Sequence, residues 1–242
     1  MKRAQSGEDS GALYLVSTPI GNLEDITLRA IRTLQEVDFV LAEDTRKAGF
    51  LLRHLNIRQK IVSYYSYNER KRIPFVIQEL KAGKHIALIS ESGTPLISDP
   101  GHKLVIAAIQ NHLRIVPIPG PSALLVALTA SGLPTDRFLF VGFLPRKKGR
   151  QSLLQELSRE SGSIIIYESA LRIQKTIEDI VKILGNRYIV LARELTKKFE
   201  EFIRGNAEDI LQELANRQVK GEIVLVVAGT AFKPILNPED ET

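Results

Sequence analysis

Short apolar runs alternate with longer stretches in which apolar residues recur every three or four positions, and Gly or Pro stands at most junctions. Ala12–Ser17, Val37–Ala42, Lys84–Ser90 and Leu113–Pro117 read as strands, the first as a buried one. Between them the spacing predicts helices. Thr27–Leu34 carries Leu28, Ile31 and Leu34 on one stripe, with Asp25 or Thr27 as the cap. Asn68–Ala82 gathers Ile73, Val76, Ile77 and Leu80, and His102–Gln110 follows the Pro100–Gly101 break. Strands alternating with helices predict an α/β layer fold with a mostly parallel sheet.

Pro117–Pro121 places three prolines in five residues, which neither a helix interior nor a central strand accepts. The domain boundary is expected there, giving domains over 11–118 and 119–232. In the second half Ser122–Ser131 reads as a helix of small residues. Phe138–Phe143, Ser163–Tyr167, Arg187–Ala192, Phe199–Arg204 and Glu222–Ala228 read as strands. Gln151–Arg159, Leu171–Leu184 and Asn206–Asn216 read as helices. More than one strand-to-strand step lacks a helix, so this sheet is expected to be mixed or largely antiparallel. Residues 1–10 are expected to form a disordered arm and 233–242 an acidic, solvated tail.

Of 242 residues, 44% are apolar and 25% charged, which excludes disorder as the main state. There is no cysteine, so disulfides, thiolate metal sites and a thiol nucleophile are excluded. The four histidines show no metal-binding spacing, and no metal is expected. No apolar stretch approaches the roughly 20 residues that span a bilayer, and the N-terminus lacks an apolar signal core. A cytoplasmic protein is expected. The net charge of +5 favours polyanionic partners only weakly.

Candidate chemistry lies where strands end. Thr18–Asn22, Glu91–Pro95, Pro117–Ser122 and Glu168–Arg172 each follow a predicted strand, where ligands of open α/β sheets collect. Gly and Pro in such loops let main chain approach a nucleotide-like ligand, although turns are rich in both anyway. Neither a dinucleotide-binding nor a P-loop fingerprint is present. Glu43-Asp44-Thr45-Arg46 is either a helix cap or a polar cluster facing a cleft. Asp99 either caps a helix or orients a substrate hydroxyl. Arg193 and Glu194 bring charge to another strand end. Arg146, Lys147, Lys148 and Arg150 form the densest basic run, beside the aromatic Phe138–Phe143. A second basic run, Glu69–Arg72, adjoins Tyr64–Tyr67. Such runs are usually solvated surface, but basic groups bind phosphates and aromatics stack on splayed bases, and with the resemblance described next the first run becomes a candidate RNA contact.

Leu15–Thr27, Ala42–Arg46, Ser90–Gly101, Val116–Ser122, Gly132–Phe143 and Leu191–Lys197 together resemble the ribosomal RNA small-subunit methyltransferase I family. That family is a branch of the tetrapyrrole-methylase-like enzymes that use S-adenosylmethionine. The resemblance runs from about Gly11 to about Gly229. It implies two α/β domains with the methyl donor in the cleft between them, a homodimer, and 2′-O-methylation of a decoding-centre cytidine in 16S ribosomal RNA of the small subunit. Carried over residue by residue, it implies donor contacts at Pro19, Ile20, Gly21, Gly93, Thr94, Pro95, Gly120, Pro121, Ser122, Tyr167, Glu168 and Gly221.

This chain departs from the family pattern at several places. Glu91, also taken as a donor contact, replaces the usual Asp and adds a methylene. Ala170 and Leu171 replace Pro and His, and Tyr65 and Tyr67 replace histidines. The family's usual C-terminal helical extension is expected to be missing, since the chain stops soon after Gly229. Asp44 is the first candidate base, with Glu43, Asp99 and Glu194 behind it, and Arg46 and Arg193 as orienting or phosphate-binding groups. The competing readings are a methyltransferase for a tetrapyrrole or other small molecule, and a non-catalytic RNA-binding module. The basic run favours the rRNA enzyme over the first, and the intact donor loops favour it over the second.

Overall fold

A computed structural model describes residues 10–217 and 219–233. The expected arm and tail lie outside these residues, apart from Ser10 and Lys233. The chain divides into two compact units between Ser122 and Ala123, slightly beyond the expected boundary at 118/119.

The first unit holds β1 (Ala12–Val16), α1 (Leu28–Glu36), β2 (Phe39–Ala42), α2 (Thr45–His54), β3 (Lys60–Ser63), α3 (Glu69–Lys81), β4 (Ile86–Ile89), α4 (His102–Gln110) and β5 (Arg114–Ile118). Its sheet runs β3-β2-β4-β1-β5, with every pair parallel. Every residue of β2 and β4 is buried, as expected when both faces of a parallel sheet are covered. Phe39, Leu41, Ile86 and Leu88 pack with Val76, Leu80 and Leu104 in one core. Val40, Ala42, Ala87 and Ile89 pack with Ala30, Leu34 and Leu52 in another. Successive strand residues thus feed opposite layers. Parallel pairing points the ends of β2, β4, β1 and β5 to one edge of the sheet, and that edge carries the candidate loops.

The second unit holds α5 (Ala123–Thr129), β6 (Phe138–Phe143), α6 (Arg150–Leu157), β7 (Ser163–Ser169), α7 (Ile173–Leu184), β8 (Tyr188–Arg193), β9 (Glu201–Asn206), α8 (Ala207–Ala215) and β10 (Glu222–Val227). Its sheet, β6-β7-β10-β8-β9, is mixed: β6 and β7 are parallel, and the other pairs are antiparallel. Ile164, Ile166, Leu191 and Leu225 form its core with Ile177, Ile180, Ile210 and Leu214.

The parallel first sheet and the mixed second sheet match the sequence expectation. Three local expectations need correction. The stripe of α1 is not Leu28–Ile31–Leu34. Leu28 is 86% exposed, and Ala30, Thr33 and Leu34 are the buried positions. The Thr27 hydroxyl caps this helix by accepting from Ala30 N at 3.1 Å, and Asp25 does not. β3 is absent from the expected strands, because an edge strand of one exposed and three half-buried residues has no long apolar run. The β7 strand also continues past Tyr167 to Ser169, so Glu168 belongs to the strand rather than to the loop after it.

Leu88→Ala is expected to cost about 2–5 kcal/mol of unfolding free energy, because Leu88 is buried in a core that collapses only partly. Leu28→Ala is expected to stay within about 0.5 kcal/mol. Urea denaturation checks both, and the Leu28→Ala result checks the corrected face of α1.

Candidate functional site

The loops after β1, β4 and β5 are tied to one another. Thr18 N donates to Gly93 O at 2.9 Å, and Gly93 N donates back to Thr18 O at 3.0 Å. That reciprocal pair is an antiparallel bridge between two loops whose parent strands run parallel. The Thr94 hydroxyl donates to Pro121 O at 3.1 Å and accepts from Ser17 Oγ at 3.2 Å, which brings in the third loop. Ser90 Oγ closes its own turn by donating to Gly93 O at 2.8 Å. Ser17, Thr18, Ser90 and Ser122 are all buried, so each unmade bond would cost a full desolvation penalty.

Glycine is required at two points. Gly93 has φ +84°, and a Cβ there would press on Ile20 Cγ2 at 3.2 Å. A Cβ on Gly120 would stand 2.8 Å from Ser17 Cβ, inside any tolerable contact. The three tripeptides expected to contact a donor, Pro19–Gly21, Gly93–Pro95 and Gly120–Ser122, therefore lie on this stitched set. It is a rigid cradle of backbone N–H and C=O groups at the carboxyl ends of strands, where α/β sheets bind ligands.

The acids divide sharply. Asp44 is the N-cap of α2. Its carboxylate accepts from Arg46 N at 2.8 Å and Lys47 N at 3.4 Å, and from Arg46 Nε at 3.2 Å and Nη2 at 2.9 Å. The Arg46 guanidinium and these amides hold its pKa down at about 2. A base so weak is poorly matched to proton abstraction near neutrality, which weighs against Asp44 as first candidate. Arg46 is its pinned partner.

Asp99 is the opposite case. It does not cap α4, whose N-cap is Gly101. Burial, then repulsion from Glu43 and Glu91, pushes its carboxyl up to about 6. Glu43 is also raised, by burial and then by Glu91, with Lys47 opposing. Glu91 pairs with Lys47 of α2.

The segment holding Asp99 is anchored by a residue that the sequence reading missed. Buried Glu69, at the start of α3, accepts from Tyr64 Oη at 2.9 Å, Gly101 N at 3.2 Å and Lys103 Nζ at 2.8 Å. Burial raises Glu69, but the Lys103 ammonium and the Tyr64 hydroxyl outweigh it and leave its pKa lowered. Leu96 (φ +72°) and Ser98 (φ +65°) hold positive φ in the same segment, a strain that surrounding contacts must sustain. No sequence signal separates Glu69 from the exposed charges of Glu69–Arg72.

The remaining site residues belong to the second unit. Tyr167 packs edge-on against Phe140 and Phe143 at centroid distances of 4.9 and 5.7 Å. Glu168 is buried and committed, accepting from Thr176 Oγ1 at 2.7 Å and Ser169 N at 2.8 Å, beside Arg172 at 3.4 Å. Gly221 directly precedes β10, whose Ile223 pairs with Glu168. Glu194 packs against Gly221, accepting from Lys197 Nζ at 3.0 Å and Glu222 N at 3.1 Å. Burial raises Glu194, but Lys197 and that amide outweigh it, and its pKa is lowered. It is a structural acceptor and not a base.

Arg193 is likewise structural, paired with Glu201 at 3.0 Å and donating to Lys220 O at 3.1 Å. In the basic run Arg146, Lys147 and Lys148 are exposed. Arg150 is 9% exposed and bound to Asp179 at 2.8 Å and Thr176 Oγ1 at 2.9 Å. It therefore drops out of the candidate RNA contacts. Among the described residues no group of three or more His, Asp or Glu is placed to hold a metal, and no helix is long and apolar enough to cross a membrane.

Residues 12–211 match the family of Tetrapyrrole (Corrin/Porphyrin) Methylases. The chain is 48% identical to ribosomal RNA small subunit methyltransferase I of Halalkalibacterium halodurans, covering 98% of this chain and 81% of that one. It is 47% identical to the protein of that name from Escherichia coli O157:H7, covering 95% and 82%. Uroporphyrin-III C-methyl transferase from Thermus thermophilus, solved with S-adenyl homocysteine, superposes with a TM-score of 0.63 at 20% identity, covering 90% of this chain and 97% of that one.

Raised acids destabilise the fold once ionised. Between about pH 4 and 6 the folded chain holds a proton on Asp99 that the unfolded chain has released, so this group makes stability fall as pH rises through that window. Asp99→Asn is expected to be more stable than the parent at pH 8, with the gap narrowing toward pH 4.5. Urea unfolding at the two values checks the sign.

Proposed function

This chain belongs to the tetrapyrrole (corrin/porphyrin) methylase family, on the ribosomal RNA small subunit methyltransferase I branch, and from that premise we propose that it transfers a methyl group from S-adenosylmethionine to small-subunit ribosomal RNA. The acceptor in this proposal is the ribose 2′-hydroxyl of a decoding-centre cytidine. The stitched loops support the reading, because the residues that the family resemblance implies as donor contacts in the first unit lie on one hydrogen-bonded set of loops.

The residues present suit the donor. Its adenosyl and amino-acid ends need hydrogen-bonding groups on close-approaching main chain, and Pro19–Gly21, Gly93–Pro95 and Gly120–Ser122 are main chain of that kind. When bound, S-adenosylmethionine supplies a methyl carbon already activated on a sulfonium. What is left to the chain is positioning and a proton acceptor. Holding two reactants in attack geometry contributes on the order of 7–11 kcal/mol.

The 2′-oxygen must shed its proton as the carbon–oxygen bond forms. We assign that proton to an Asp99 carboxylate oxygen. With a pKa of about 6, Asp99 is ionised at neutral pH yet basic enough to share a proton, whereas Asp44 at about 2 is not. Arg146, Lys147 and Lys148 supply exposed charge for phosphates. The 48% identity to a ribosomal RNA methyltransferase, against 20% to the uroporphyrin-III enzyme, favours RNA over the reading suggested by the fold likeness alone. The proposal includes a homodimer working in the cytoplasm. β6, an edge strand with exposed Phe138, Leu139 and Phe143, is the kind of surface a second copy covers.

The test is transfer of labelled methyl to small ribosomal subunits from cells lacking the gene, with uroporphyrinogen as a control and RNA digested to nucleosides. Label in 2′-O-methylcytidine is the expected result, and label in the tetrapyrrole alone overturns the reading. Asp99→Asn is expected to lower kcat roughly 10²–10⁴-fold, with donor affinity by calorimetry unchanged.

A further inference from the structure

A pocket of about 390 Å³ opens at the ends of β2, β3 and β4. Its walls come from the turn into α2 (Glu43 to Arg46), the segment after β3 (Tyr65 to Tyr67), and Glu91 after β4. The volume falls in the range of small-molecule sites. Its lining includes none of the three tripeptides assigned to the donor and shares only Glu91 with the expected donor contacts.

Its chemistry is uneven. Tyr67 is 94% exposed and Tyr65 38% exposed, in a chain whose other ring in this segment, Tyr64, is fully buried. The backbone that presents them is fixed. Asn68 Oδ1 accepts from Tyr65 N at 2.9 Å, and Asn68 Nδ2 donates to Ser63 O at 3.2 Å. Tyr64 anchors the same segment to Glu69. Two exposed rings on a fixed backbone form a stacking wall, which binds a base with little loss of freedom. Opposite in character is Arg46. Its side chain is 90% exposed, yet two bonds to Asp44 hold it in place, so it is a fixed cation at the rim. Glu43, and Glu91 through the carboxylate oxygen not paired with Lys47, add acceptors to the lining of the type that takes a hydrogen bond from the exocyclic amine of cytosine.

Aromatic wall, rim cation and carboxyl acceptors together match one ligand class, a single unpaired nucleotide. We propose that this pocket is the acceptor-nucleotide subsite, with Tyr65 and Tyr67 stacking the flipped base, a Glu43 or Glu91 carboxyl taking its amine hydrogen bond, and Arg46 holding a flanking phosphate. A flipped base is the form in which enzymes reach atoms that a folded RNA otherwise shields. The proposal rests on the methyltransferase reading and adds the residues that select the acceptor.

The experiment uses the full chain and three proteins: wild type, a Tyr65→Ala/Tyr67→Ala double variant, and a Tyr65→Phe/Tyr67→Phe double variant. S-adenosylmethionine affinity is measured by calorimetry, and methyl transfer is measured against small-subunit concentration. Ultraviolet cross-linking to the subunits, mapped by mass spectrometry, gives a readout independent of turnover. The alanine variant is expected to keep its donor affinity, to lose at least tenfold in kcat/KM, mainly through KM, and to lose a cross-link at residues 65–67. The phenylalanine variant is expected to recover kcat/KM to within about threefold, because the ring does the stacking.

Loss of donor affinity in the alanine variant would make the pocket part of the donor site and overturn the proposal. So would wild-type label in RNA with an unchanged alanine variant, which leaves the methyltransferase reading standing. No label in RNA from the wild type sinks both.

Discussion

The donor surface proposed for the first unit depends on the exchange of backbone hydrogen bonds between Thr18 and Gly93. Parallel strands do not pair through their exit loops by default, since each loop leaves for its own helix. Here the loops after β1 and β4 fold back and pair antiparallel, and the Thr94 hydroxyl extends the tie to Ser17 and to Pro121 after β5. Flexible exit loops become one surface whose polar groups are already ordered. A ligand held there does not have to freeze them, which is where preorganised sites gain affinity. Gly93 and Gly120 follow from the same constraint, because the three loops approach too closely for a Cβ at either position.

A second consequence concerns the acids. Asp44 and Asp99 are the same residue type, each following a strand of one sheet, yet their pKa values stand near 2 and near 6. The difference is environmental. Asp44 spends its lone pairs on the start of α2 and on Arg46. Asp99 is half-buried beside Glu43 and Glu91, in a segment pinned by Glu69 and strained at Leu96 and Ser98. Such an arrangement costs stability and, under the proposed function, supplies a carboxylate suited to proton transfer near neutral pH.

Much of this was legible from the sequence. The runs Val37–Ala42 and Lys84–Ser90 announced strands of a mostly parallel sheet, and the Gly/Pro loops marked the strand ends where the donor is proposed to bind. What could not be read depends on contacts distant in sequence. Whether Asp44 caps a helix or faces a ligand turns on where Arg46 points. Arg150 sits inside a basic run but is drawn inward by Asp179, 29 residues away. Glu168 looked like a loop residue and is a buried strand acceptor for Thr176. Glu69 stood in a run of charges and proved to anchor two segments. The edge strand β3 had no periodicity to betray it, and Leu28 of α1 fitted a stripe that the sheet does not use.

The central claim is that the loops after β1, β4 and β5 act as one donor-binding surface. Amide hydrogen exchange with and without saturating S-adenosylhomocysteine tests it most directly. The account expects slowed exchange at residues 18–22, 91–95 and 118–122 together, on the same titration curve. Saturable binding that leaves any of these three segments exchanging at its free rate would contradict it.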